Sequence, residues 1–123
     1  MIGTTPLERA QVRALERMGT DLFSRLALHV QHASPTFMES RGMTRYPEVA
    51  KATEPFIERS FQVLETIIEE KPFLAGETPT IADCTLFALL CTCAKRFDYY
   101  LPEEFPRLCR WYKRFSGRPS AEP

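Results

Sequence analysis

Apolar side chains recur at Leu7, Val12, Leu15, Met18, Leu22, Leu26 and Val30, at intervals of three, four and once five. That is the period of a helix burying one stripe, and it predicts a single long helix over about 6–33. Thr5 before Pro6 supplies a hydroxyl cap followed by a residue whose missing N–H costs nothing in the first turn, and Ser34-Pro35 ends the run. Residues 34–47 hold two prolines, a glycine and no sustained period, so they read as a connection with at most one irregular turn. A second helix is expected over about 48–70, with Val49, Phe56, Ile57, Val63, Leu64, Ile67 and Ile68 inward. Pro55 is expected to kink it or to delay its start, with Thr53 as the alternative cap. A third helix, about 81–95, is apolar on nearly every face, which marks a helix enclosed by others. A fourth, about 106–116, turns Leu108, Trp111, Tyr112 and Phe115 inward, with Gly117 as an expected left-handed stop. Strand alternation and internal repeats are absent from the pattern. The expectation is one all-α helical bundle over 1–123.

Composition narrows the classes of function. With 44% hydrophobic and 26% charged residues in 123, the chain is a globular domain with enough apolar surface for a core. Sixteen basic residues balance sixteen acidic ones, so no net field draws it to nucleic acid or to an anionic membrane. The most apolar window, Thr85 to Ala94, is half the length a membrane helix needs, and the N-terminus lacks a signal-peptide apolar region. A cytoplasmic protein is expected.

Four cysteines, Cys84, Cys91, Cys93 and Cys109, raise the question of a metal or of disulfides. Three of them fall on the third helix, where residues two apart point about 200° away from each other, so Cys91 and Cys93 neither resolve one another nor converge on a metal. His29 and His32 lie one turn apart elsewhere and give no zinc spacing. Small, soft core residues are the better account, and no metal is expected.

Asp83 is the acid that opens the apolar third helix. A carboxylate buried without partners costs several kcal/mol. Thr80 stands at the cap position and Asp83 three residues on, the spacing at which the acid bonds the cap's N–H while the threonine hydroxyl accepts from the N–H of residue 83. The helix dipole adds to this. Loss of Asp83 is expected to cost about 1–3 kcal/mol.

The stretch PFLAGETPTIADCTLFALL, followed by FPRLCRWYKRFSGRPS, closely resembles the C-terminal domain of the cytosolic glutathione transferases. In that family a turn of this type leads into a buried central helix, and the later helix ends in a similar segment. The resemblance covers essentially the whole chain and implies the family's helical bundle. It also implies that the chain lacks the family's thioredoxin-like domain, so that it looks like an excised or truncated half beginning at the interdomain linker.

That resemblance implies a division of labour. The thioredoxin-like half binds glutathione and lowers the pKa of its thiol, while the helical half supplies one wall of the pocket for a small electrophile. By resemblance the wall falls on Met18, Asp21, Leu22 and Arg25 of the first helix and on Phe37, Met38, Arg41 and Tyr46 of the connection. No catalytic residue and no cofactor are expected in this chain, glutathione being the co-substrate of the full-length family. A role in detoxification and a possible homodimer are implied too. The alternative expectation is a stand-alone helical interaction module without catalysis.

Overall fold

The computed structural model of the chain describes residues 3–118. Within them lie four helices: α1 (Pro6–Ala33), α2 (Pro47–Ile68), α3 (Ile81–Phe97) and α4 (Pro106–Ser116), with a single 3-10 turn at Glu39–Arg41 in the connection. No strand is formed among the described residues, only an isolated antiparallel bridge between Phe73 and Gly76. The final part of the GRPS motif, Pro119 and Ser120, lies outside the described residues.

Each helix starts and stops for a local reason. Thr5 caps α1, accepting from the Glu8 N–H at 3.1 Å, while Glu8 Oε2 returns the favour to the Thr5 N–H at 3.2 Å. The Thr4 N–H, the Thr4 hydroxyl and the Thr5 N–H all donate to Glu8 Oε2 and hold its carboxyl below its ordinary range. The 3-10 turn closes on Gly42, whose φ of 68° is a left-handed conformation that glycine adopts without strain. Helix α3 ends two residues beyond the expected point, at Phe97, and is closed by Asp98 (φ 55°), with the Tyr99 N–H on the Cys93 carbonyl at 3.2 Å. The left-handed stop expected at Gly117 is not formed. Gly117 stays right-handed (φ −79°), and the Arg118 N–H closes the last turn on the Phe115 carbonyl instead.

Two further expectations about α2 are corrected. The helix begins at Pro47 and runs through Pro55 without interruption, so neither a late start nor a cap at Thr53 occurs. Its buried stripe is Ala50, Ile57, Phe61, Leu64 and Ile68; Phe56 is 60% exposed. Phe61, wholly buried, takes the place that Phe56 was expected to fill.

The core gathers Leu22 and Leu26 of α1, Phe61 and Leu64 of α2, Leu86 and Leu90 of α3, and Trp111 and Phe115 of α4. Helix α1 packs along both α2 and α3, and α4 closes against α2. Asp83 sits among them with no exposed surface. Its Oδ2 accepts from the Thr80 N–H at 2.8 Å and from the Thr80 hydroxyl at 3.2 Å, and its Oδ1 accepts from the Leu74 N–H at 2.9 Å and from Trp111 Nε1–H at 2.8 Å. The acid bonds its cap as the spacing predicts. Both halves of the capping box are present, and in addition the threonine hydroxyl donates to the carboxylate and the Asp83 N–H approaches the Thr80 carbonyl at 3.1 Å. Charge-assisted bonds of this kind are about twice as strong as neutral ones, and here they replace the water that burial removes.

A second acid performs the same service at long range. Phe105, at the cap of α4, has no side chain to offer, and Glu65 of α2 supplies the acceptors instead, taking the N–H of Arg107 at 3.0 Å and of Leu108 at 2.9 Å. A negative charge on the first turn of α4 also suits its dipole.

Candidate functional site

Met18, Asp21 and Arg25 rise along one face of α1 at intervals of three and four, so they stand on successive turns. Opposite them α2 brings Arg59, Ser60, Val63 and Leu64, and the two sets enclose a depression of about 200 Å³. Met18 is half-buried in its floor. Arg25 donates to Ser60 Oγ at 3.4 Å, and its guanidinium lies 5.8 Å from the Phe56 ring centre, which gives the exposed phenylalanine a cationic neighbour. Asp21 pairs with Arg17 on the outer surface at 3.4 Å, and both side chains are mostly wet, so the pair contributes little to stability. Leu22 has no exposed surface at all and belongs to the core rather than to any wall.

The connection residues lie elsewhere. None of Phe37, Met38, Arg41 and Tyr46 lines that depression. Phe37 packs on Phe97 of α3, ring centres 5.0 Å apart, and Arg41 stacks over the outer face of Phe37 at 3.9 Å. Met38 is 5% exposed and acts as an anchor under the 3-10 turn. Tyr46, about half exposed, leans on His32 with ring centres 5.9 Å apart. Asp21 is twelve residues before Ala33, so the rise of a helix separates the two groups by roughly 18 Å along α1. The eight side chains expected to form one wall are therefore two groups and one core residue.

A larger hollow, about 840 Å³, opens where the ends of α1 and α3 part. His29, Cys91, Phe97, Tyr99, Tyr100 and Tyr112 are among its lining residues. Burial, with Cys93 and Glu54 close by, pushes the Tyr99 hydroxyl up to about 12, and burial beside Cys91 pushes Tyr112 up as well. Both remain hydrogen-bond donors at neutral pH. Tyr112 was expected to face inward from the period of α4, whereas Tyr99 lies in the segment after α3, which carries no period. Burial likewise pushes the thiols of Cys93 and Cys109 up, away from the reactive thiolate. All four cysteines are free, and among the described residues no group of three or more His, Cys, Asp or Glu gathers as metal ligands. No helix among them is long and apolar enough to cross a membrane.

This arrangement of helices has close counterparts. The family described as "Glutathione S-transferase, C-terminal domain" matches residues 25–119. "Glutathione S-transferase 2" of Saccharomyces cerevisiae is 27% identical over 123 residues, covering 99% of this chain and 52% of the relative. The crystal structure of Gtt2 from Saccharomyces cerevisiae superposes with a TM-score of 0.80 at 26% identity, over 98% of this chain and 58% of that one. A glutathione S-transferase from Methylobacillus flagellatus, with GSH bound, gives 0.77 at 20% identity over 98% and 57%, a likeness of fold alone. The chain thus spans about half the length of the curated relative it matches. With a buried acid tying the turn before α3 to the tryptophan of α4, and a family match over three quarters of its length, the chain belongs to the glutathione S-transferase family through its C-terminal helical domain.

Proposed function

We propose that this chain is the electrophile-binding helical half of a glutathione transferase, and that glutathione's thiol is activated by a thioredoxin-like domain outside these 123 residues. The reading is carried by the family match together with the depression between α1 and α2. Met18, Val63 and Leu64 give it an apolar floor that desolvates the body of a small electrophile, and Arg25 and Arg59 offer guanidinium donors to a polar or leaving group. In the reaction the thiolate sulfur forms a bond to the electrophilic carbon and the leaving group departs with the electron pair. These residues orient the electrophile and exclude water; they neither donate nor remove a proton. Phe37, Arg41 and Tyr46 form a second candidate surface, and Met38 and Leu22 support the two from beneath. The match to the glutathione S-transferase family and to the yeast relative of that name supports glutathione as co-substrate. A cytoplasmic detoxification role, and a homodimer, belong to the same proposal.

The test has two arms. Conjugation of glutathione to a chloronitrobenzene by the chain alone is expected to stay at the uncatalysed rate, and robust turnover would overturn the assignment of thiol activation to another domain. Titration of the same electrophile into labelled chain is expected to shift the Met18 methyl and Arg25 side-chain resonances. Unmoved resonances there, with shifts elsewhere, would relocate the wall.

A second reading is favoured by the exposure of Leu7, Phe23 and Leu28 on α1 and Phe56 on α2, between 46% and 69%. Apolar residues spread over two helices suit a helical interaction module that associates with another protein surface. A monodisperse chain that binds a defined partner through Phe23 and Phe56, without any electrophile binding, would favour this reading over the first.

A further inference from the structure

The connection returns to the last turn of α1 through two sets of bonds. Arg45 Nε donates to the His32 carbonyl at 2.8 Å, and Nη2 to the Ala33 carbonyl at 3.3 Å. The Tyr46 N–H donates to His32 Nδ1 at 3.0 Å. That second bond fixes the proton state of the ring. A backbone N–H has only a proton to give, so Nδ1 must present its lone pair, and the imidazole is neutral with its hydrogen on Nε2. His29, one turn earlier, is the opposite case. Its Nδ1 lies 2.8 Å from the Ala50 carbonyl, which can only accept, so that nitrogen carries the hydrogen and charging the ring leaves the bond intact. Two histidines on neighbouring turns thus answer acid in opposite ways.

We infer that His32 is a positioning residue that latches the connection to α1 and releases it when the ring takes a second proton. Only 7% of His32 is exposed, and what it holds is the cap residue of α2, since Tyr46 also accepts from the Val49 N–H at 3.0 Å and offers no side-chain cap of its own. A charged ring would turn an N–H toward the Tyr46 N–H, donor against donor, and would add a cation to a residue whose carbonyl already carries Arg45. The other charged or titratable groups about the joint are His29 on α1, Arg41 in the connection and Glu48 in the first turn of α2, together with Cys91, Lys95, Arg96, Asp98, Tyr99, Tyr100 and Tyr112, which share a hollow with Ala33 to Pro35. No carboxylate among the described residues pairs with the ring to offset its charge. The latch rests on these bonds. Its bearing on the electrophile surface of Arg41 and Tyr46, both on the held segment, rests on the proposed function.

Nitrogen NMR of the full chain tests it directly. Near pH 8, about 1.5 units above the ordinary histidine value, His32 is expected to carry its hydrogen on Nε2 and His29 on Nδ1. On acidification until the His32 ring is seen to charge, exchange of the Tyr46 amide, corrected for its intrinsic rate, is expected to rise at least about tenfold, while amides in the middle of α2 keep their protection. His32→Asn offers Oδ1 near the place of Nδ1 and does not titrate, so the rise is expected to flatten in that variant. An Nδ1–H tautomer at His32, Tyr46 protection that stays constant as the ring charges, or an unchanged acid response in His32→Asn would each overturn the latch. The wild-type measurements decide alone if the variant does not fold. None of these readouts uses glutathione or an electrophile, so failure of the proposed function and failure of the latch are separable.

Discussion

Trp111 Nε1–H donates to Asp83 Oδ1 at 2.8 Å, and neither side chain has any exposed surface. The bond joins α4 to the first turn of α3, and the same oxygen takes the Leu74 N–H from the turn before it. Removing the acid therefore strands donors in three places at once. Asp83→Ala is expected to cost at least about 3 kcal/mol, since each buried donor left without an acceptor costs about 1–3 kcal/mol, and so to exceed the loss from an end cap alone. Trp111→Phe removes one donor and leaves the carboxylate three, so a smaller loss of about 1–2 kcal/mol is expected from the bond, plus that of reduced packing. Denaturant melts of both variants check the order. An Asp83→Ala loss below that of Trp111→Phe would contradict the role of the acid as the common acceptor.

Glu65 is the surrogate cap of α4. In Glu65→Ala the N–H groups of Arg107 and Leu108 lose their acceptors, and a loss of about 1–2 kcal/mol is expected. Glu65→Gln keeps one acceptor oxygen and should lose roughly half as much. Hydrogen exchange at residues 107 and 108 is the specific check, because a general loosening of α2 would speed exchange along that helix rather than at the start of α4.

What could be read from the chain divides by sequence distance. The bond from Asp83 to Thr80 spans three residues and follows from helix geometry, so spacing alone predicts it. The bond to Trp111 spans twenty-eight, and nothing in the pattern connects an acid needing donors to a tryptophan needing an acceptor. Met18, Asp21 and Arg25 share a depression because their spacing puts them on one face, a fact the helical period contains. The connection has no period. Which of Phe37, Met38 and Arg41 turns inward was therefore settled by contacts with Phe97 of α3, remote in sequence. Phe56 and Phe61 are told apart by a signal the pattern does contain: Phe61 is four residues after Ile57 and three before Leu64, inside the stripe, whereas Phe56 is turned about 100° from Ile57, so the helical period alone favours burying Phe61.

The raised hydroxyl of Tyr99 predicts an alkaline limb in stability. The folded chain keeps the proton up to about 12, whereas an unfolded tyrosine gives it up near 10. Below pH 10 both states are protonated and the stabilisation from burying the neutral ring is fully present. Between 10 and 12 the unfolded chain ionises first, so stability falls as pH rises and the contribution is lost through the folded value. Tyr100 and Tyr112 are also pushed up and add to the alkaline limb, so the informative quantity is the difference in Tm between the wild type and Tyr99→Phe. That difference is expected to move in favour of the variant as pH rises from 10 to 12, and a difference that does not change with pH would refute it.

Pro55 occupies the interior of α2, where a proline removes one helical hydrogen bond and sets its ring against the carbonyl four residues back, that of Lys51. The helix nevertheless continues. One turn ahead of the defect, the Thr53 hydroxyl donates to the Ala50 carbonyl at 2.8 Å, and His29 Nδ1–H of α1 donates to the same oxygen, also at 2.8 Å, so this turn is braced both locally and from the neighbouring helix. Bracing keeps the helix in place without restoring the missing bond. Pro55 is itself exposed, so replacing it sacrifices little packing. Pro55→Ala is expected to stabilise the fold by about 2 kcal/mol, the helical gain of about 3 kcal/mol being reduced by up to about 1 kcal/mol through the greater freedom of the unfolded chain. In His29→Ala, which removes the brace from α1, the same proline should cost more, so the gain from Pro55→Ala should be larger in that background than in the wild type. Equal gains in the two backgrounds would show that α2 tolerates its proline without help from α1.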